Sequence, residues 1–226
     1  MIKLCIFDLD GTTVNSLRSI AHFANETLEN FGLEPFPVDD YRYLAGGGAR
    51  KLMTNLINAR GANIDILEDM ISDWLGRYEK KPYYLTEPYE GVNDMLEKLK
   101  SIGVTTAIVT NKSKRVASSI IEHSFGAPGA LIDEAVSEHP GMVLKPAPDE
   151  ILKLCKKYSV FPCETMYVGD HDIDMQTGKN ANVTTCGVTW GFHTEDELIS
   201  AGADLIAHHP IEIFEFINKS YKENNK

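Results

Sequence analysis

Leu4-Cys5-Ile6-Phe7-Asp8-Leu9-Asp10-Gly11-Thr12 is the stretch on which the fold reading turns. Four consecutive apolar residues form a short run that ends abruptly in acid, which is the pattern of a strand buried on both faces in a parallel sheet. Asp8 and Asp10 flank Leu9, so the two-residue period of a strand aims both carboxylates the same way. Two carboxylates crowded at a buried strand end repel one another unless a cation is shared or one is protonated. Gly11 then lets the chain turn. Read alone, Asp-x-Asp-Gly is equally an Asx-type turn that closes a strand.

Downstream of this stretch the pattern changes twice. Apolar residues at spacings of three and four (Ile20, Phe23, Ala24, Leu28, Phe31) predict a helix over residues 16–31. Helices over 50–59 and 64–78 follow, introduced by Gly46-Gly47-Gly48, and the block contains no convincing strand. Pro82, Pro88 and Gly91 mark a linker at its end. From residue 92 helices and strands alternate. Helices are expected over 92–101, 113–123, 149–158, 175–181 and 195–201, and strands over 105–109, 130–136, 165–168, 184–188 and 204–206. Such alternation implies right-handed crossovers and a parallel sheet. The expected architecture is α/β: a doubly wound, Rossmann-like parallel sheet core at 1–15 and 86–226, with an all-helical cap inserted at 16–85. Ligands of open parallel sheets sit beyond the strands' carboxyl ends, so an insertion leaving just after the first strand lies over that site as a lid. The final Lys222–Lys226 stretch reads as frayed.

The chain has 226 residues, 43% of them hydrophobic, and a net charge of -11. That charge repels a phosphate backbone, which excludes nucleic acid as a partner class. Cys5, Cys155, Cys163 and Cys186 form no C-x-x-C pair and read as reduced thiols. No apolar run reaches membrane-spanning length and no signal pattern opens the chain, so a cytoplasmic location is expected.

Three further stretches each sit at an expected strand end. Val109-Thr110-Asn111 offers a hydroxyl and an amide just before a helix start, where N–H groups favour anions; an ordinary N-cap is the alternative. Lys145 precedes Pro146-Ala147-Pro148 in an extended segment, and would otherwise be a surface lysine. Gly169-Asp170-His171-Asp172-Ile173-Asp174 places three acids after a buried strand, where acids also suit a helix first turn.

Taken together and in this order, these four elements resemble the haloacid dehalogenase (HAD) superfamily over essentially the whole chain. Asp8-Leu9-Asp10-Gly11-Thr12 matches its first motif, Thr110 its second, Lys145 its third, and Gly169-Asp170 with Asp174 its fourth. The early helical insertion resembles a C1-type cap. Gly46–Arg50 and Gly187–Gly191 resemble the phosphoglycolate phosphatase-like branch. The resemblance implies a phosphatase acting on a small phosphomonoester, with Asp8 as nucleophile and Asp10 as acid and base. It implies Mg²⁺ held by Asp8, the Asp10 main-chain carbonyl and Asp170. Thr110 with Asn111 would bind the phosphoryl group, Lys145 would neutralise it, and Asp174 would anchor the metal site or Lys145 from behind. Asp172 matches no motif position and is left to helix-start duty. Arg50 is the cap residue expected to reach a substrate carboxylate or second phosphate, the alternative being a solvated helix-start arginine.

The branch usually carries an acid where this chain has Asn15, near the cap hinge. Phosphoglycolate is the first candidate substrate; pyrophosphate, nucleotide monophosphates and sugar phosphates are the others. A β-phosphoglucomutase-like transfer on a sugar phosphate is the competing reaction, and a binding protein that keeps the fold without turnover is a third class. Phosphonatase and haloacid dehalogenase chemistry are disfavoured because those enzymes lack the acid at position 10. Either a monomer or a homodimer is compatible with the sequence.

Overall fold

A computed structural model describes residues 1–224. The first strand, β1 (Leu4–Phe7), is fully buried and splits its side chains between two faces. Cys5 and Phe7 join the larger apolar cluster, while Leu4 and Ile6 join a second one with Ile151, Leu154 and Tyr167. That two-sided burial is why the run is continuously apolar rather than alternating.

After β1 the chain forms β2 (Val14–Asn15), then the helices α1 (Leu17–Asn30), α2 (Tyr41–Leu44), α3 (Gly48–Ala59) and α4 (Leu67–Tyr78), and returns at β3 (Glu87–Pro88). β2 and β3 pair antiparallel, so the two passages between the sheet and the helical block lie side by side. α4 packs on both α1 and α3, burying Met70, Trp74 and Tyr78. The remainder alternates: α5 (Val92–Ser101), β4 (Thr105–Ser113), α6 (Lys114–Phe125), β5 (Glu134–Glu138), α7 (Asp149–Tyr158), β6 (Thr165–Gly169), α8 (Asp172–Asn180), β7 (Thr184–Val188), α9 (Glu195–Ser200), β8 (Leu205–Ala207) and α10 (Pro210–Asn224).

Among the described residues, the principal sheet has the order β5-β4-β1-β6-β7-β8 and every pair in it is parallel. The α/β, doubly wound expectation is therefore met. β1 is central, with the chain building outward first through β4 and β5 and later through β6, β7 and β8. The direction of winding reverses at β1, which makes the crevice beyond its carboxyl end the topological switch point. Phe7 is in register with Ile108 of β4 and Val168 of β6.

The structure departs from the sequence reading in several places; β2 and α2 were not expected, and α8 begins at Asp172 rather than 175. β4 continues through Thr110 and Asn111 to Ser113, with a register shift against β5 between Thr110 and Ser113, so the second motif lies inside the strand. β5 begins at Glu134, later than residue 130. The 81–91 linker contains β3, whose two-residue ladder is too short for a periodic signal. α10 was not expected. It opens on Pro210, suited to a helix first turn, and buries Ile213 and Ile217 beside α5. The fraying expected at 222–226 falls on α10 as far as Asn224 and otherwise outside the described residues. Among the described residues no helix is long and apolar enough to cross a membrane.

Ile6 is fully buried at the centre of this sheet. Ile6→Ala is expected to lower the unfolding free energy by about 2–5 kcal/mol, the range for truncating a buried aliphatic chain, as measured by urea denaturation.

Candidate active site

The strand ends of β1, β4 and β6 bring Asp8, Thr110 and Asp170 to one crevice. The Asp8 amide donates to Val168 O at 2.9 Å, which extends the β1–β6 ladder and fixes where the Asp8 side chain leaves the sheet. Asp8, Asp170 and Asp174 each offer a carboxylate oxygen, and these oxygens lie within 4.8 Å of one another. Lys145 Nζ is 2.8 Å from Asp8 Oδ1 and 2.7 Å from Asp174 Oδ1. Asp174 Oδ1 also accepts from Tyr167 Oη at 3.1 Å, and Asp174 Oδ2 from the His171 amide at 3.1 Å. Asp170 accepts from Thr12 Oγ1 at 2.7 Å and from the Phe192 amide at 2.8 Å. Asp8 Oδ1, by contrast, is buried and receives no well-aligned hydrogen bond despite its nearness to Lys145.

Electrostatics follow from this packing. Burial is the main force raising Asp8, and Asp174 and Asp10 add to it against the pull of Lys145; its carboxyl is pushed up to about 7. Burial, with Asp174 and Asp8 nearby, likewise raises Asp170 well above the carboxylate range. Burial works against the charge of Lys145, but Asp174 and Asp8 overcome it and hold the ammonium well above its ordinary value. Were all three carboxylates ionised, one ammonium would leave two negative charges in excess. A divalent cation with hard oxygen preference fits that excess.

Gly11 makes the crowding possible. Its φ of +81° is a conformation L side chains rarely adopt, and an added Cβ would stand 2.1 Å from Asp170 Oδ2. The invitation to turn in Asp-x-Asp-Gly is thus also a steric requirement of the neighbouring strand's acid.

Asp10 is held apart from the triad by a partner absent from the sequence reading. Lys112 Nζ lies 2.9 and 3.1 Å from its two carboxylate oxygens and donates to Tyr78 Oη at 3.0 Å. Ser16 Oγ donates to the same carboxylate. Burial disfavours the Lys112 charge, yet Asp10 and Tyr78 outweigh it and hold the ammonium above its ordinary range. The signal that could have found Lys112 was its place two residues after Thr110. It went unread because β4 was expected to end at Val109.

Thr110 and Asn111 stand on the crevice wall; Thr110 Oγ1 accepts from the Lys112 amide, and the Asn111 side chain donates to Lys145 O and accepts from Lys145 N. The expected site residues Asp8, Asp10, Thr110, Asn111, Lys145, Asp170 and Asp174 therefore converge on one cleft. Arg50 does not join them: its guanidinium pairs with Glu68 at 2.5 and 2.9 Å on an exposed face, and it lines no part of the cleft. Asp172 is the first residue of α8 and accepts from the Ile173 amide at 2.7 Å. Asn15 is exposed in β2, opposite Glu87.

The cleft is narrow, with a free volume of about 50 Å³. Its outer wall comes from the helical block, with Ile20, Ala45, Ala49, Leu52 and Trp74. Ser113, at the end of β4, and Trp74 each carry a buried polar atom, Oγ and Nε1, without a hydrogen-bond partner. A buried donor left unmet costs about 1–3 kcal/mol.

A parallel sheet with convergent carboxylates and a buried lysine at its switch point marks the centre of a doubly wound α/β protein, and the comparisons specify the family. The family model described as haloacid dehalogenase-like hydrolase matches residues 5–188, and the chain belongs to that family. It is 28% identical over 224 residues to N-acetylmuramic acid 6-phosphate phosphatase of Pseudomonas aeruginosa, covering 97% of this chain and 96% of that one. It is 31% identical over 210 residues to phosphoglycolate phosphatase of Pasteurella multocida, covering 90% and 93%. A crystal structure of a predicted phosphoglycolate phosphatase from Haemophilus somnus superposes with a TM-score of 0.88 at 25% identity, covering 95% of this chain and 97% of that one.

Lys112 is buried against Asp10 and Tyr78. Removing one partner of a buried ion pair leaves an uncompensated charge, so Lys112→Met is expected to cost about 3–5 kcal/mol of stability in a urea titration. The double variant Lys112→Met/Asp10→Asn should recover part of that loss.

Proposed function

We propose that the chain catalyses Mg²⁺-dependent hydrolysis of a small phosphomonoester through a phosphoaspartyl intermediate on Asp8. The observation that carries this reading is the buried cluster of three carboxylates in the cleft, two of them paired with the ammonium of Lys145. The Asp8 and Asp170 carboxylates and the Asp10 main-chain carbonyl would hold the ion, which when bound supplies positive charge to screen phosphoryl oxygens from the carboxylates.

The chain's own groups then divide the work. An Asp8 oxygen attacks phosphorus in line, the phosphorus–oxygen bond to the alcohol breaks, and an acyl phosphate forms. Asp10 gives a proton to the departing alkoxide, and in the second half takes one from the water that attacks phosphorus and frees Asp8. Lys145 neutralises charge on Asp8 and the phosphoryl oxygens, and Thr110 with Asn111 orients the group. Asp174 fixes the ammonium of Lys145 from behind, and Lys112 with Ser16 fixes the Asp10 carboxylate. Residues 16–85 serve as the cap over a core of 1–15 and 86–226. Cleft-lining Ala49, Leu52 and Trp74, and the paired passages at β2 and β3, support that division.

Steady-state release of phosphate from p-nitrophenyl phosphate tests the reading. EDTA should abolish turnover and added Mg²⁺ restore it. Asp8→Asn should remove activity with circular dichroism unchanged. Asp10→Asn should slow turnover by about 10²- to 10⁴-fold, the typical contribution of a general acid–base group. Turnover surviving in Asp8→Asn would exclude the nucleophile assignment.

The pH dependence of stability has a definite sign. The Asp8 carboxyl is raised from 3.8 to about 7, so the folded metal-free protein holds a proton that the unfolded chain has released. Its stability therefore falls as pH rises across that window. A divalent cation favours the ionised carboxylate, so the rise in Tm on adding Mg²⁺ should be larger near pH 8 than near pH 5. Equal gains at both would contradict a site built on Asp8.

A further inference from the structure

The peptide unit that joins Gly191 to Phe192 is held at both ends by charged groups. Its N–H donates to Asp170 Oδ2 at 2.8 Å. Its carbonyl accepts from the Arg42 guanidinium at 3.0 Å, and the same Nη1 lies 3.5 Å from the next carbonyl, Phe192 O. In a trans peptide the carbonyl and the N–H point in opposite directions, so a cation stands on one side of the unit and a carboxylate on the other. Hydrogen bonds to charged groups are the strong ones, and a carbonyl polarised by a cation makes its own N–H a better donor.

This backbone is seated directly on Asp170. An added Cβ on Gly191 would stand 2.2 Å from Asp170 Cβ and 2.5 Å from Gly11 O, which is why the turn after β7 passes through glycine there. Trp190 Nε1 donates to Thr12 O at 3.0 Å, and Thr12 Oγ1 donates to Asp170 Oδ1 at 2.7 Å. One carboxylate oxygen of Asp170 is thus held by the turn after β1 and the other by the 191–192 peptide.

Arg42 belongs to the helical block. Its neighbour Tyr41 is fully buried and donates to Asn25 Oδ1 at 2.7 Å, while Leu44 O accepts from Asn55 Nδ2 at 2.9 Å; these contacts tie α2 to α1 and α3. Among the described residues the carboxylate paired with Arg42 is Asp39, 3.9 Å away and 89% exposed, so the carbonyl contacts are the closer ones.

Resting on the reading of Asp170 as a magnesium ligand, we infer that Arg42 is a positioning residue for that ion: from the helical block it fixes the 191–192 peptide, and through the peptide N–H it fixes the Asp170 carboxylate. Groups that hydrogen-bond a ligating carboxylate set metal affinity although they never touch the ion. Mg²⁺ binding and the docking of α2 on the sheet's carboxyl end are therefore coupled, and each strengthens the other by the same factor. The sign of the effect separates this role from plain charge. The field of Arg42 alone opposes a second cation nearby, so removing it would tighten Mg²⁺ binding. Loss of the peptide's anchor weakens it.

The test measures the Mg²⁺ dissociation constant of the full chain without substrate, by calorimetric titration and by the rise of Tm with Mg²⁺ concentration. Arg42→Met should raise the constant by about 3- to 10-fold, less than the roughly 10- to 100-fold typical of a group that touches the ligand itself. Arg42→Lys, whose ammonium can still donate to one carbonyl, should recover part of the loss. Arg60→Met is the control, because that guanidinium also holds two carbonyls, Glu34 O and Pro35 O, but both lie within the helical block. It should leave the constant unchanged. Asp170→Asn should weaken binding far more than any of these. If it does, an unchanged or lowered constant in Arg42→Met, or an equal rise in Arg60→Met, overturns the inference and leaves the metal reading standing. If Asp170→Asn binds Mg²⁺ as the unaltered chain does, both fall.

Discussion

Three crowded buried carboxylates, two of them paired with one lysine, set the terms for everything else in this molecule. Asp8, Asp170 and Asp174 are brought together by the parallel sheet, and their mutual repulsion has to be balanced locally because burial leaves no water to screen it. Each balancing group comes from a different part of the chain: Lys145 from the loop before α7, Thr12 from the turn after β1, the Phe192 amide from beyond β7, Tyr167 from β6. The fold can be seen as the scaffold that lets these distant segments converge. The topological switch at β1 is where such convergence is geometrically available.

A second charge pair stands beside the first and is kept separate from it. Asp10 is two residues from Asp8, yet its carboxylate binds Lys112 and Ser16 while Asp8 faces Lys145. Neighbouring acids in unlike surroundings can take unlike roles, which is what attack and proton transfer on one substrate require.

Much of this was legible because strand ends announce themselves. Apolar runs that stop at Asp8, Val109 and Gly169 located the crevice, and seven of the expected site residues meet there. The failures have physical causes. Lys112 was missed because β4 passes through a register shift and continues to Ser113, and periodicity does not register a bulge. Trp74 was missed because an apolar residue on an amphipathic helix reads the same whether it faces a core or a cleft. Arg50 looked useful by position, but the side of α3 on which it emerges is decided by Leu52, Met53 and Leu56, which are buried and turn it outward to Glu68. α10 went unseen although its apolar residues recur locally; in the fold it packs on α5.

Trp74 and Tyr78 are one helical turn apart on α4 and touch edge to face, with ring centroids 5.3 Å apart. One lines the cleft and the other hydrogen-bonds the lysine that holds Asp10. Helical pitch ties these two positions into a single rigid lever, so a shift of α4 that reshapes the outer pocket also displaces the partner of Asp10. The consequence is evolutionary. A change of substrate that requires α4 to rotate or slide will disturb proton transfer as well, whereas replacement of side chains at Ala49 or Leu52 on α3 will not. New specificities in this scaffold are therefore more accessible through α3 than through α4.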